Sequence, residues 1–478
     1  MADRIFCIDF GSAYTKVALR GGPAVDARLI SPSVPGSSGP LSFCVPTVVA
    51  VETRAGDKQH FEFGSAATGR TTQGNVRVFR NWKKSLFLNP SASAVEHPSL
   101  EALLASGELA DLATRFAVTR AQIEHLRSMV SSARGALGMG AETLSPESTE
   151  FEETKDLAIR FFRWLRQEVL TSCDKLGLVG GGDFGAIPVR ITAPAFAFGR
   201  GMEIHPGCQA LTDALAQAGW PLHVGSPLVT EPYSNAIGVL TNGKNHTTPT
   251  GQTRLYTMLD YGPLRAVSAG DKHFPSYRAL IVDVGAFTTD FASIDLDAKG
   301  ESVTDIDAAV TISHHSVPIG ISDLDTAVAA VSSPEKGDWL LKGPGYDTEA
   351  FRLRAYSDTK PFNVNISGKN FRMNTGEEGR AIQAAIQSFC RRLAAGVAEF
   401  CDGRKPASKQ ELILTGGGSS IPAVRDALQM AAEHGGHTYA KIHAPVKKKT
   451  AGGAFFVQLD DKMIRGGSAI GGVSLYFG

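Results

Sequence analysis

Ala279-Leu-Ile-Val-Asp-Val-Gly-Ala-Phe-Thr-Thr-Asp-Phe291 begins as an apolar run, Leu280 to Val282. A run this short, bounded by a turn signal, predicts a buried strand. The strand delivers Asp283 to its end, and Gly285 turns the chain into the polar Thr288-Thr289-Asp290. A carboxylate at a strand tip beside a tight, hydroxyl-rich turn suits a metal–phosphate group, because backbone N–H groups in such a turn can converge on one anion. Read alone, the segment fits a solvated hairpin equally well.

The same plan occurs at the N-terminus. Ile5-Phe-Cys-Ile-Asp-Phe-Gly-Ser-Ala-Tyr-Thr-Lys16 is again an apolar strand, then Asp9, Gly11 and hydroxyls, followed by a second apolar run from Val17 to Leu19. Two related halves facing each other would place Asp9 and Asp283 across one cleft. A third glycine turn lies in Leu412-Ile-Leu-Thr-Gly-Gly-Gly-Ser-Ser-Ile-Pro422. Ser419 or Ser420 can cap the helix that follows, and Pro422 suits its first turn. Gly416, Gly417 and Gly418 leave room for a flat ligand against bare backbone.

Taken together, these segments resemble the ATPase superfamily shared by actin, the DnaK-type heat-shock chaperones and the sugar kinases, nearest to the nucleotide-binding domain of the chaperones. Asp9–Lys16 resembles the first phosphate loop, Asp283–Asp290 the second, and Thr415–Pro422 the adenosine loop. Val229–Val239 and Arg465–Gly472 resemble the two connecting segments. The resemblance implies an α/β fold of two actin-like, ribonuclease H-like lobes with mixed five-stranded sheets around a nucleotide cleft. Residues 1–241 would form the first lobe, with a helical insert near 89–150. Residues 242–464 would form the second, and 465–478 a C-terminal helix returning to the first.

The resemblance also implies a site for ATP or ADP with Mg²⁺. Asp9, Asp283 and Asp290 would serve the metal, which keeps several waters in such sites. Gly11, Ser12, Ala13, Tyr14, Thr15 and Lys16 would hold phosphates from one side, and Gly285, Ala286, Phe287 and Thr288 from the other. Gly320, in a turn matching the chaperones' Leu-Gly-Gly-Glu-Asp-Phe-Asp, and Arg352, where they clamp adenine, would join Gly416, Gly417, Gly418 and Ser419 around the nucleoside. Lys16 stands where actin carries a phosphate-binding lysine and the chaperones usually lack one. Lys83, with Lys84 as the alternative one residue on, matches the lysine that reaches the terminal phosphate. Glu231 would lie at the cleft floor. Lys83, Glu231 and Asp283 are thus the candidate catalytic residues for a slow ATPase.

Composition narrows the classes. Lys+Arg and Asp+Glu balance at 48 each, so there is no electrostatic case for nucleic acid or an anionic membrane. No apolar run is long enough to span a bilayer. The six cysteines form no CxxC pair, which predicts reduced thiols and a cytoplasmic protein. Gly180–Gly185 fits G-x-G-x-x-G but precedes a strand, the wrong context for a dinucleotide site. His314-His315 has no third ligand at useful spacing. Val45–Val51 reads as one strand, Leu255–Leu259 as another, Glu152–Leu170 as an amphipathic helix, and Lys447–Lys449 as a solvated loop.

Two departures shape the expected function. Ala286 and Phe287 replace the second and third glycines of the second phosphate loop. The Phe287 ring either turns outward or blocks the terminal phosphate; if it blocks, Phe287→Gly raises single-turnover hydrolysis. The chain given ends at Gly478, with no peptide-binding β-domain after the second connecting segment. The expected function is a DnaK-like ATP-binding switch acting through a protein partner. The alternatives are an actin-like filament protein, which self-assembles, and a small-molecule kinase.

Overall fold

A computed structural model describes residues 4–21, 26–32, 42–87, 149–178, 184–198, 204–241, 246–247, 253–254, 277–296, 310–342, 345–357, 360–366, 369–404, 410–445, 455–459 and 461–474. The expected insert, all but its last two residues, lies outside them, as do the strand expected at 255–259 and the lysine run 447–449.

The first sheet is built from β1 (Ile5–Phe10), β2 (Tyr14–Arg20), β3 (Arg28–Ile30), β4 (Val45–Pro46), β8 (Val189–Ala193) and β9 (Leu228–Thr230). Its order is β3-β2-β1-β8-β9, with β4 pairing β2. β1–β2 and β2–β3 are antiparallel, whereas β1–β8 and β8–β9 are parallel. A smaller sheet, β6-β5-β7, joins β5 (Val49–Arg54), β6 (Lys58–Phe63) and β7 (Val76–Phe79). The strand expected over 45–51 is therefore two. Thr47 lies between them, its N–H donating to the Ala13 carbonyl and its Oγ1 to the Gly11 carbonyl at 2.7 Å. The chain is pinned to the first loop there and passes from one sheet to the other.

The second sheet repeats the plan. β12 (Tyr277–Val284), β13 (Thr289–Leu296), β14 (Val310–Val317), β17 (Gln410–Thr415), β18 (Tyr439–Ala444) and β19 (Phe455–Gln458) lie in the order β14-β13-β12-β17-β18-β19. β12–β13 and β13–β14 are antiparallel, and β12–β17 and β17–β18 parallel. Two antiparallel pairs followed by two parallel crossovers thus occur in both sheets. Each sheet has six strands rather than the expected five, through β4 in one and β19 in the other. Two short ladders, β10 (His246–Thr247) with β11 (Thr253–Arg254) and β15 (Phe362–Ile366) with β16 (Lys369–Met373), lie apart.

The helices are α1 (Ser65–Thr68), α2 (Lys84–Phe87), α3 (Thr149–Lys175), α4 (Pro206–Gln217), α5 (Glu231–Thr241), α6 (Ile321–Val331), α7 (Pro334–Lys342), α8 (Gly345–Ser357), α9 (Gly376–Asp402), α10 (Pro422–Ala432) and α11 (Asp461–Ser474). β1 is buried along its whole length because it is covered on both faces. Its Phe6, Ile8 and Phe10 meet Leu157, Phe161, Leu165 and Val169 of α3 and Leu211 and Leu215 of α4. Ile5 and Cys7, pointing the other way, meet Ala469 and Val473 of α11. In the second sheet Leu280, Val282, Leu412 and Leu414 pack under Ile382, Ile386, Phe389 and Leu393 of α9 and Val424 and Leu428 of α10.

The C-terminal helix starts at Asp461, four residues before the expected boundary, and packs against the first sheet. It also crosses α5 at backbone contact. A Cβ on Gly238 would collide with the Gly467 carbonyl, and one on Gly471 with that of Ser234, so both positions require glycine.

Candidate functional site

The two Asp-x-Gly hairpins have matching registers. Asp9 is the cross-strand partner of Lys16, and Asp283 that of Asp290. Both strand tips open on one cavity of about 560 Å³, a size that suits a small organic ligand. Asp9, Lys16, Asp283 and Asp290 line it, together with Gly11, Ser12, Ala13, Tyr14, Gly285, Ala286, Phe287, Thr288, Lys83, Glu231, Arg352, Gly416, Gly417 and Gly418.

Three expected residues are not on its wall. Thr15 alternates away from Tyr14 and Lys16 along β2, and its hydroxyl bonds that of Thr47 at 2.9 Å. Gly320 sits behind the second loop, where a Cβ would collide with the Ala286 carbonyl, and its N–H donates to Asp323. The Ser419 hydroxyl is buried and donates to the Gly416 carbonyl at 2.7 Å, so it shapes the glycine turn from within.

The charged groups are arranged in pairs. Lys16 Nζ donates to Asp9 Oδ2 at 2.9 Å, and Thr192 Oγ1 donates to Asp9 Oδ1 at 3.2 Å. Burial lowers the Lys16 pKa, but the Asp9 carboxylate outweighs it and holds the ammonium above its ordinary value. Lys83 Nζ donates to Glu231 Oε1 at 2.5 Å, and both side chains are buried. Burial raises the Glu231 carboxyl above the usual carboxylate range against the pull of Lys83. Asp290 accepts from Ser316 and, at 3.3 Å, from Thr288 Oγ1. Burial and the Glu231 charge push its pKa well up. Asp283 accepts from Asn235 Nδ2 at 2.8 Å. Burial pushes it to about 7; Lys16 opposes this, and Asp9 and Glu231 reinforce it.

The two adjacent lysines separate cleanly. Asn81 takes a left-handed φ of 54° ahead of α2, a conformation asparagine tolerates. Trp82 is anchored by its indole N–H on the Thr47 carbonyl at 3.1 Å and packs on Phe10. Lys83 then faces the cavity, while Lys84 reaches Asp323 at 2.9 Å and is not on the cavity wall.

Phe287 borders the cavity, but its ring is buried against Phe87 and Phe196, with centroids 6.4 and 6.1 Å apart. Neither Ala286 nor Phe287 has a positive φ, so the loop needs no glycine at either position. The ring ties a loop of the second sheet into the core of the first. Phe287→Ala is accordingly expected to cost about 3 kcal/mol of stability. Urea denaturation measures it, and an unchanged midpoint would mean that the ring does not hold the loop to the core.

A Cβ on Gly417 would meet nothing within 4 Å, and Ile321, Leu340, Leu341 and Leu353 add apolar side chains to the wall. Leu341 and Leu353 are each 41% exposed. Arg352 joins them, with its Nε donating to Asp325 at 2.7 Å, and the Tyr356 hydroxyl donates to the same carboxylate. Sequence reading missed Thr47, Asn235, Asp325 and these leucines. Thr47, Asn235 and Asp325 are single polar positions with no local signal, and the leucines carry no more than the apolar content that any core helix shows.

Ser12 Oγ lies on the cavity wall, buried and with no hydrogen-bond partner among the described residues. A buried hydroxyl left this way is costly unless a ligand satisfies it. Among the described residues no group of three or more His, Cys, Asp or Glu side chains is placed to hold a metal ion.

No protein-family model matches the chain, and no curated protein matches it in sequence. No described helix is long and apolar enough to cross a membrane.

Proposed function

We propose that this chain binds ATP or ADP with magnesium in the cavity between its two sheets and hydrolyses ATP slowly, as a DnaK-like switch acting through a protein partner. The architecture proposed with it is the two-lobed one of the actin and chaperone superfamily. The observation that carries the reading is the doubled hairpin. Two sheets of like order each deliver an Asp-x-Gly tip to one cavity, and a glycine turn and several apolar side chains share its wall.

The residues divide by chemistry. Ser12 Oγ and Lys16 Nζ donate to phosphate oxygens, and each charge-assisted contact contributes about 1.5–3 kcal/mol. Asp9, Asp283 and Asp290 would hold the magnesium, which when bound would supply positive charge against the charge developing on the phosphates. Glu231, fixed by Lys83, accepts from the attacking water and orients it. Leu341 and Leu353 cover the faces of the base, and Gly417 gives it bare backbone.

Thermal melting with and without Mg²⁺–ATP tests the reading. Ligand at a hundred times its Kd adds about 2.7 kcal/mol of stability. No shift at millimolar nucleotide, together with no calorimetric signal, would overturn it.

A further inference from the structure

Asn235 is buried on the first turns of α5, a helix that begins at the end of a first-sheet strand, yet its amide serves the second sheet. Nδ2 donates to Asp283 Oδ2 at 2.8 Å and to Thr415 Oγ1 at 2.9 Å. Asp283 and Thr415 are register partners at the adjoining tips of β12 and β17, and the Thr415 hydroxyl in turn donates to the Asp283 carboxylate. The three side chains therefore close a ring of hydrogen bonds. On its other side, the Asn235 Oδ1 lies so close to Gly467 of α11 that a Cβ there would collide with it.

We infer that Asn235 is a positioning residue that fixes the Asp283 carboxylate for the magnesium–phosphate group, from the point where α5 and α11 cross. The inference rests on the nucleotide reading of the cavity. The choice of an amide matters. A lysine or arginine at this point would orient the carboxylate but also neutralise it, whereas an uncharged donor fixes one oxygen and leaves the negative charge for a cation. The Lys16 ammonium acts on Asp283 through its charge while donating its hydrogen bond to Asp9 at 2.9 Å. Outer-shell donors of this kind typically change metal affinity 10- to 100-fold when removed, because the ligand loses its orientation. Here the donor also sits on a glycine-tight helix crossing, so the presentation of Asp283 follows the packing of those two helices.

The test uses the full chain and a fluorescent ADP, titrated with Mg²⁺ and separately in EDTA, on the parent, Asn235→Ala and Thr415→Val. Circular dichroism and melting without ligand report folding. Asn235→Ala is expected to need roughly 10- to 100-fold more Mg²⁺ for half-maximal nucleotide retention, with its EDTA affinity unchanged. Thr415→Val, nearly isosteric, shifts the Mg²⁺ requirement in the same direction and carries the test if Asn235→Ala does not fold. An unchanged Mg²⁺ requirement in the folded variants overturns the inference. So does an equal loss with and without Mg²⁺, which is the mark of a merely structural role. A parent that binds nucleotide equally well with and without Mg²⁺ overturns it while leaving a nucleotide site standing. A parent that binds no nucleotide at all overturns both readings.

Discussion

Asp283→Asn is expected to stabilise the ligand-free protein above pH 7 and to abolish Mg²⁺-dependent nucleotide binding in the same molecule. The Asp283 carboxyl titrates near about 7 in the folded state against an ordinary value of 3.8, because it is buried beside Asp9 and Glu231. Between those two values the native state keeps a proton that the unfolded chain has already released. Stability therefore falls as pH rises from about 4 to about 7, and the whole penalty is in place above that window. Asparagine carries no charge and can still accept from the Asn235 amide. It removes a penalty on the order of 2–4 kcal/mol at pH 8 and changes nothing near pH 3.5. A pH series of melting curves measures the difference between parent and variant. Parallel curves at every pH would mean that Asp283 is ionised and comfortable throughout. Stability gained where binding is lost is what a site poised for a cation should show, since the carboxylate is strained only until its ligand arrives.

The features that carry this prediction were partly legible in one dimension. Asp9 and Asp283 were, because each ends an apolar run and is followed by a glycine and hydroxyls, a local signature of a strand tip. Gly416–Gly418 were legible for the same reason. Asn235 was not. Within Glu231–Thr241 it is a single polar position on a helix, and its partners are 48 and 180 residues further along the chain. The doubling of Asp-x-Gly suggested two halves, but the division of the strand expected over 45–51 into β4 and β5 was not legible, nor was β19. β4 has two residues and β19 four, too few for a period to show. Thr15 was misplaced because motif resemblance reports neighbours in sequence, whereas a strand sends alternate residues to opposite faces. The choice between Lys83 and Lys84 turned on the single left-handed residue Asn81 and on the Trp82 anchor, which bring one ammonium to the cavity and the other to Asp323.

That choice leads to the second large effect. Lys83→Ala is expected to lose about 3–5 kcal/mol of stability as well as most of any ATP hydrolysis. Lys83 is 2% exposed, and its ammonium donates to Glu231. Removing it leaves a carboxylate buried near Asp290 and Asp283 without its hydrogen-bonded cation and with only the Lys16 charge to offset it, which is far more costly than lacking the pair altogether. The loss has a pH signature of definite sign. The Glu231 pKa, already raised by burial, rises further without Lys83, so the variant gains stability as pH falls through that raised value and protonation neutralises the group. Glu231→Gln in the Lys83→Ala background should restore much of the loss at pH 8 and little at pH 5. A double-mutant cycle by urea denaturation at the two pH values then isolates the coupling. Single-turnover hydrolysis, measured where each variant is still folded, separates the chemical role. Loss of a water-orienting pair is worth about a hundred- to ten-thousand-fold in rate, and the Glu231→Gln rescue of stability should not restore it. If Lys83→Ala instead melts like the parent and shows no coupling to Glu231, the ammonium does not sit in this buried pair, and Lys16 becomes the cation to examine.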